Sequence, residues 1–138
     1  MAQFARRVLE PNSVAVSFYH SGSLRYYGGV MTLNYSHLDE RWLDRAVEWL
    51  QSRGVRTYAV MEEFEVPDFR RRFAGAERLA VLERPPLGVY EKPDKVLIFD
   101  LSGRRPSTAE PLVLRSNGAS SVVALPTAPP QLVFGPAR

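Results

Sequence analysis

The stretch DERWLDRAVEWLQSRGVRTYAVM, residues 39–61, carries the clearest structural pattern in the chain. Its first part repeats apolar side chains at the spacing of one helix face. Those apolar positions are Trp42, Leu43, Ala46, Val47 and Leu50. Asp39 can cap the start of a helix and Gly54 can end it in a left-handed conformation, so we predict a helix over 39–53. The apolar run that follows, 57–61, predicts a buried strand.

Similar signals predict an alternation of strands and helices on both sides of this stretch. Apolar runs between turn-forming residues predict four more strands, over 14–19, 30–35, 78–83 and 95–101, with a short apolar piece at 89–90. Helical patterns predict an N-terminal helix over 2–10, a glycine-closed helical turn within 20–29 and a short helix opening at 66–68. We therefore expect an α/β, small Rossmann-like domain with a mostly parallel five-stranded sheet flanked by helices, the last strand being the candidate for antiparallel pairing.

Composition divides the chain at residue 102. We assign 1–101 to the α/β domain, with 1–12 as its N-terminal helix and linker, and 102–138 to a Pro-rich C-terminal extension with six prolines. Three apolar patches in the extension could lie on the domain as edge strands, namely 112–114, 122–125 and 132–134. A loosely packed extension is the interpretation that we favour.

A chain of 138 residues with 45% hydrophobic and 24% charged side chains has the balance of one globular domain. Because it contains no cysteine, disulfides, thiol catalysis and iron–sulfur ligation are excluded. The formal net charge is +3, and most of the 16 arginines alternate with acidic residues rather than gathering on one face. The one dense run, 70–72, lies between Phe69 and Phe73 at helical spacing, which favours a solvated helix face. No nucleic-acid partner is predicted.

Ligands of open α/β sheets bind beyond the carboxyl ends of the strands, where helix N-termini point. The first strand ends in His20-Ser21-Gly22-Ser23, and Arg25 lies one turn further on. Backbone N–H groups, two hydroxyls and a guanidinium could converge here on an anion such as a phosphate. The stretch matches neither a P-loop nor a complete dinucleotide-binding turn, so a serine cap with a glycine-mediated turn is the favoured alternative.

Carboxylates follow the third and fifth predicted strands, at what we expect to be the same edge of the sheet. Glu62, Glu63 and Glu65 come at the end of the third strand, and Asp100 lies near the end of the fifth. Neighbouring carboxylates can act as an acid–base pair or hold a hard cation, although glutamates in an exposed loop are more often simply solvated. Two histidines without a cysteine argue against a transition-metal site. No catalytic residue, metal site or cofactor is predicted.

The six tyrosines and two tryptophans raise a further hypothesis, a platform for carbohydrate. Most of them lie in or beside predicted strands or at helical core spacing, which favours roles in the core or in an interface. Trp49 lies off the main apolar stripe of the long helix and is the candidate for an interface.

A linear pattern over about residues 4–101 resembles a known domain family. Its parts are PNSVAV at 11–16, HSGSLRYYG at 20–28, LNY at 33–35, GVRTYAV at 54–60 and ExPxFxxRF at 65–73. Together they resemble the C-terminal soluble domain of bacterial multi-spanning glycosyltransferases related to dolichyl-phosphate-mannose protein mannosyltransferases. The pattern includes no active-site motif, so the resemblance carries no catalytic residue to this chain.

The resemblance implies that the N-terminal helix continues from a final membrane span, and that the domain lies on the extracytoplasmic face of the bacterial cell membrane. The implied partner is the transmembrane portion of the parent or of a partner transferase, and the candidate ligand is a lipid-linked sugar or phosphate group. The sequence itself shows neither an apolar stretch long enough to span a bilayer nor a targeting signal.

Two functions therefore stand open. The first, which we favour, is a non-catalytic accessory domain of a membrane glycosyltransferase that packs on the enzyme or presents substrate to it. The second is a free-standing α/β module that binds a phosphorylated or glycosylated small ligand at the carboxyl edge of the strands. The site and the resemblance share one expectation, that the strands ending at Tyr19, Met61 and Leu101 lie in one sheet and open on a common rim.

Overall fold

Helices cover both faces of one six-stranded sheet in the computed structural model, which describes residues 1–91, 93–103, 111–115 and 129–137. The strands are β1 Ser13–Ser17, β2 Met31–Asn34, β3 Arg56–Glu62, β4 Gly88–Glu91, β5 Lys95–Asp100 and β6 Leu112–Arg115. The α-helices are α1 Ala2–Val8, α2 Ser21–Gly28, α3 Leu43–Ser52 and α4 Val66–Arg72. Short 3-10 segments cover Tyr35–His37, Glu63–Glu65 and Glu77–Glu83. The predicted α/β class is confirmed.

The sheet is mixed, with the strand order β2-β1-β3-β5-β4-β6. β1 runs parallel to β2 and β3, whereas β5 runs antiparallel to both β3 and β4. The prediction of a mostly parallel five-stranded sheet is therefore confirmed in part: the described sheet is mixed and has six strands, of which only β5 runs against the others, and the last predicted strand does pair antiparallel. Because β5 runs antiparallel to β3, the three strands do not end on a common rim. Leu101 follows β5 at the opposite end of the strands from Tyr19 and Met61.

Two apolar cores fill the space between the sheet and its helices. On one face, Val16 and Met61 pack with Phe69 of α4 and with the apolar stripe of α3. On the other face, Ala15 and Val60 pack with α1 and α2. The central strands β1 and β3 are thus covered on both sides, which is typical of the parallel part of an α/β sheet. This packing fixes the position of their carboxyl ends.

Helix α3 turns its apolar stripe into the core and leaves both tryptophans outside. Trp42 is 50% exposed and Trp49 is 52% exposed. The prediction that Trp42 belongs to the buried stripe is wrong, because the helix begins at Leu43 rather than near Asp39. Asp39 does not cap the helix; its Oδ1 accepts the N–H of Arg41 at 2.9 Å and holds a turn that precedes it.

The predicted strand over 78–83 is also wrong, since these residues belong to the 3-10 segment Glu77–Glu83. The Asp44 carboxylate accepts the backbone N–H groups of Glu77 and Arg78 at 2.8 and 3.0 Å. Backbone donors that bind a side chain are not free to pair with a neighbouring strand. Strands β4 and β6 complete the sheet instead.

The described parts of the C-terminal extension lie against the domain. β6, which covers the first predicted apolar patch, pairs in parallel with β4. Leu132 packs on the apolar cluster at the start of β1. The side chain of Asn12 binds both backbone groups of Val133, accepting from its N–H at 2.7 Å and donating to its carbonyl at 2.9 Å. The patch at 122–125 lies outside the described residues.

Candidate functional site

The parallel strands β1 and β3 end at the same edge of the sheet and bring His20 and Glu62 together. Nε2 of His20 donates to Oε1 of Glu62 at 2.8 Å, and both side chains are largely buried. The other oxygen of Glu62 is shut off from solvent and has no hydrogen-bond partner among the described residues. We call this edge, with His20, Glu62 and Glu65, the carboxyl edge.

Glu65 is a structural carboxylate at the centre of the carboxyl edge. It is only 2% exposed. Its Oε1 accepts the hydroxyl of Tyr35 at 2.8 Å, and its Oε2 accepts the backbone N–H of Glu62 at 2.7 Å. Burial and the neighbouring Glu65 carboxylate raise the pKa of Tyr35 well above its ordinary value of 10.0. Sequence reasoning treated Tyr35 as a strand residue and missed this contact between distant parts of the chain.

The two serine hydroxyls at the start of α2 donate hydrogen bonds to nearby backbone carbonyls. Ser21 Oγ donates to the Phe18 carbonyl at 2.9 Å, and Ser23 Oγ donates to the His20 carbonyl at 3.1 Å. Neither hydroxyl caps the N–H groups of α2. A Cβ at Gly22 would meet no atom within 4 Å, so no close approach requires glycine there. The two hydroxyls are therefore engaged within the protein, while the backbone N–H groups of Gly22 and Ser23 lie in the uncapped first turn of α2.

Arg25 is the remaining member of the predicted anion site, and it is exposed. No ion pair joins its guanidinium to any described residue. One solvated guanidinium is a weak attractor for an anion, because water and salt screen its charge. Arg25 could therefore bind a phosphate only together with further donors, such as the backbone N–H groups in the first turn of α2.

The other predicted carboxylates do not join Glu62 and Glu65 in one cluster. Glu63 points to solvent, with Lys95 Nζ 3.8 Å from its Oε1. Asp100 lies at the opposite edge, where its Oδ2 accepts from Arg56 at 2.5 Å and its Oδ1 accepts the N–H of Ser102 at 2.9 Å. The expectation that Asp100 shares an edge with the glutamates is wrong, because β5 runs antiparallel to β3.

Exposed aromatic rings border a depression beside the carboxyl edge. Phe18, Tyr19 and Phe64 stand in contact, with ring centres 4.8 Å apart for Phe18 and Tyr19 and 5.4 Å apart for Tyr19 and Phe64. They line a depression of about 560 Å³ whose other side includes Arg71 and Arg72. We call it the aromatic depression. Arg72 is committed, because its Nη2 donates to the carbonyls of the segment at 36–38.

A second concave surface, the β2–α3 groove, lies along the side of the sheet where β2 is the last described strand. Its volume is about 690 Å³. Met31 and Leu33 line it on the strand side, and Trp42 and Trp49 line it on the helix side. The Arg45 guanidinium stacks over the Trp42 ring, 5.7 Å from its centre. Clustered exposed apolar side chains of this kind mark interaction surfaces.

Of the two tryptophans that line this groove, the sequence predicts only Trp49 to lie outside the buried stripe of the helix. Trp49 lies off the apolar stripe and was identified as a candidate for an interface, whereas Trp42 was placed in the core. The signal that could have located Trp42 is its position directly after the Asp39-Glu40-Arg41 turn. A polar turn of that kind often precedes the first residue of a helix.

Comparison with known protein families, with curated proteins and with solved structures finds no match for this chain. The helices that the structure describes include none that is both long enough and apolar enough to cross a membrane. Within the described ranges, no three His, Asp or Glu side chains are grouped as the ligands of a metal ion would be.

Proposed function

We propose that this chain is an accessory interaction domain that binds a protein partner through the β2–α3 groove. The observation that carries the proposal is that the protein leaves Trp42 and Trp49 half exposed along an apolar groove. Exposed tryptophans are enriched among the residues that dominate the binding energy of protein interfaces. The groove is therefore the surface on which the domain gains most from a partner.

The carboxyl edge is the other candidate for a binding site, but its polar groups are largely engaged within the protein. His20 is paired with Glu62, and Glu65 accepts two hydrogen bonds from within the protein. A ligand that used these groups would have to break contacts that are buried, and a buried donor or acceptor left without a partner costs about 1–3 kcal/mol. Most polar groups of the carboxyl edge are thus engaged within the fold, whereas Oε2 of Glu62 has no partner among the described residues.

The partner that we propose is the membrane-spanning portion of a lipid-linked sugar transferase on the extracytoplasmic side of a bacterial membrane. This choice rests on the resemblance of residues 4–101 to the C-terminal domain of such transferases. The common rim of three strands expected with that resemblance is absent, so only the linear pattern of residues supports the choice. The interaction role itself rests on the exposed groove and does not depend on which partner occupies it.

Site-specific photocrosslinking in the producing cell tests the proposal. A photoreactive phenylalanine analogue at position 49 should crosslink the chain to a membrane-spanning glycosyltransferase that mass spectrometry identifies. The matched control places the same analogue at position 64, which is also half exposed but lies on the aromatic depression. Crosslinks to no transferase, or equal crosslinks from both positions, would overturn the proposed partner.

The aromatic depression favours a second candidate function, the binding of a glycosylated ligand. Aromatic rings at a protein surface can stack on the apolar face of a sugar. Phe18, Tyr19 and Phe64 offer such a surface, with exposed fractions of 39%, 62% and 56%. Titration of the chain with saccharides, nucleotides and polyprenyl-phosphate headgroups, followed by chemical shifts, tests this candidate. Saturable shifts of Tyr19 that a Phe64→Ala variant loses would favour it over the interaction role.

A further inference from the structure

The chain's own residues 131–135 pack beside one end of the β2–α3 groove and contact residues that also line it. Leu132 packs on the cluster that contains Val14 and Leu50, and both of these residues also line the groove. The Phe134 ring lies 5.5 Å from the ring of Trp49. The apolar surface that receives the segment is thus continuous with the open part of the groove.

The segment is held by hydrogen bonds with Asn12 and Arg53 rather than by pairing with a described strand. Asn12 lies in the left-handed region at φ +58° and uses its side-chain amide as a peptide group, pairing with both backbone groups of Val133. The Gly135 N–H donates to the Arg53 carbonyl at 2.8 Å. Leu132 faces the domain while Val133 is 71% exposed, so neighbouring side chains alternate in direction. The protein therefore displays how this surface holds an extended apolar chain.

Among the residues that the structure describes, none covers the groove beyond this segment, and the groove borders β2, the last described strand on this side. β2 is paired with β1 on one side, and no described strand pairs with its other side. An edge strand offers backbone donors and acceptors to an added strand, while a neighbouring groove accepts alternate side chains. Met31 and Leu33 from β2, with Trp42 and Trp49, supply such a groove.

We infer that the β2–α3 groove binds an extended apolar segment of the partner protein, in the manner that residues 131–135 show at its end. The inference rests on the proposed interaction function and specifies the chemistry of the partner's contact. A concave groove favours a peptide over a bilayer, because a flat membrane surface would touch the tryptophans and leave Met31 and Leu33 uncovered. Side chains of an extended segment can reach both.

The test uses the full chain and a fluorescein-labelled peptide with the sequence of residues 131–136, QLVFGP, as the probe. Anisotropy measures binding as the chain is titrated to millimolar concentration. The wild-type chain should bind the peptide, and Trp42→Ala should raise its dissociation constant about tenfold, because a tryptophan at the centre of a contact dominates binding. The matched control, Phe64→Ala, removes an equally exposed aromatic outside the groove and should bind as the wild type does. Circular dichroism checks that both variants fold.

Four results obtained with the wild type, Trp42→Ala and Phe64→Ala would overturn the inference. They are no binding at millimolar concentration, equal loss in the two variants, Trp42-dependent flotation with phosphatidylcholine–phosphatidylglycerol vesicles, and Trp42-dependent self-association in sedimentation. Binding that Asn12→Ala abolishes and Trp42→Ala leaves unchanged would also overturn it, because the peptide would then only exchange with the chain's own segment.

The peptide test and the crosslinking test can fail separately. Crosslinking to a transferase without peptide binding would retain the interaction function and reject the extended segment. Peptide binding without a crosslinked transferase would retain the groove and reject the proposed partner.

Discussion

The carboxyl edge and the β2–α3 groove are both built on β1, but they treat their functional groups in opposite ways. At the carboxyl edge, His20, Glu62 and Glu65 are buried or nearly so and bind one another or the backbone. In the groove, Trp42 and Trp49 remain half exposed and contribute little to the core. Most polar groups of the carboxyl edge are therefore engaged within the fold. The two tryptophans of the groove, in contrast, keep about half of their surface exposed.

This difference has a general physical basis. A buried polar group must find a hydrogen-bond partner, so clusters of polar side chains are common inside folded proteins for structural reasons. Covering an exposed tryptophan lowers the free energy of the system, by roughly 25 cal/mol for each Å² of apolar surface removed from water. A pair of exposed tryptophans is accordingly the stronger indication of binding in this protein.

The largest effect that separates the two regions is expected for Glu65→Ala. The substitution leaves the Tyr35 hydroxyl and the Glu62 N–H without their acceptor inside the protein, which should lower the free energy of unfolding by about 3 kcal/mol. Urea denaturation measures it. Glu63→Ala is the control, because its exposed carboxylate should contribute less than about 0.5 kcal/mol. Equal losses in the two variants would show that the carboxyl edge is not structural.

A smaller effect is expected for Asn12→Ala at the end of the groove. The variant loses the pair of hydrogen bonds to Val133 and the bond at 3.2 Å to the Gly54 carbonyl, and it places alanine at a left-handed φ. The free energy of unfolding should fall by about 1–2 kcal/mol. Gln131→Ala, an exposed neighbour in the same segment, should stay within about 0.5 kcal/mol of the wild type. If Asn12→Ala matches this control, the segment is not held as the structure shows.

The third prediction concerns alkaline pH and Tyr35. Its pKa is raised in the folded state, so the unfolded chain releases the tyrosine proton first as the pH rises past about 10. The free energy of unfolding should therefore fall above that pH, by at most about 1.4 kcal/mol per pH unit for this group. Tyr35→Phe should flatten the fall. Burial also raises the pKa of Tyr58, so part of the fall in the free energy of unfolding should remain in this variant. An unchanged slope in Tyr35→Phe would contradict the assignment of a buried, hydrogen-bonded phenol.

The smallest effect on stability is expected for Trp42→Ala. Half of this side chain lies in solvent and the helix begins after it, so the free energy of unfolding should change by less than about 1 kcal/mol. Thermal unfolding measures the change. Leu43→Ala removes the fully buried neighbour and should cost about 2–5 kcal/mol. A loss in Trp42→Ala as large as that would return the tryptophan to the core.

The sequence located most elements because their signals are local. The helical spacing before Gly54, and the φ of +77° that this glycine adopts, follow from residues within a few positions of one another. The parallel course of β1 and β3 follows equally well, since a helix crosses between them. This is why His20 and Glu62 were expected at the same edge.

The position of β5 in the sheet, next to β3, could not be read from such local signals. β4 and β5 are joined by only three residues, 92–94, and a connection that short requires an antiparallel pair. The short apolar piece at 89–90 and the Pro93-Asp94 turn were the available signals, but their meaning depends on which strand β5 then joins. The hydrogen bond between Tyr35 and Glu65 joins residues that are distant in the sequence, and so do the hydrogen bonds from the segment at 77–83 to Asp44. No spacing in the sequence reveals such contacts.

The most direct test of the central claim compares the two regions in a single nuclear magnetic resonance titration of the full chain with the QLVFGP peptide. We expect saturable shifts of the indole N–H signals of Trp42 and Trp49, with the amide signals of His20, Ser23 and Glu65 unchanged. Shifts confined to His20, Ser23 and Glu65, with both indole signals silent, would contradict it.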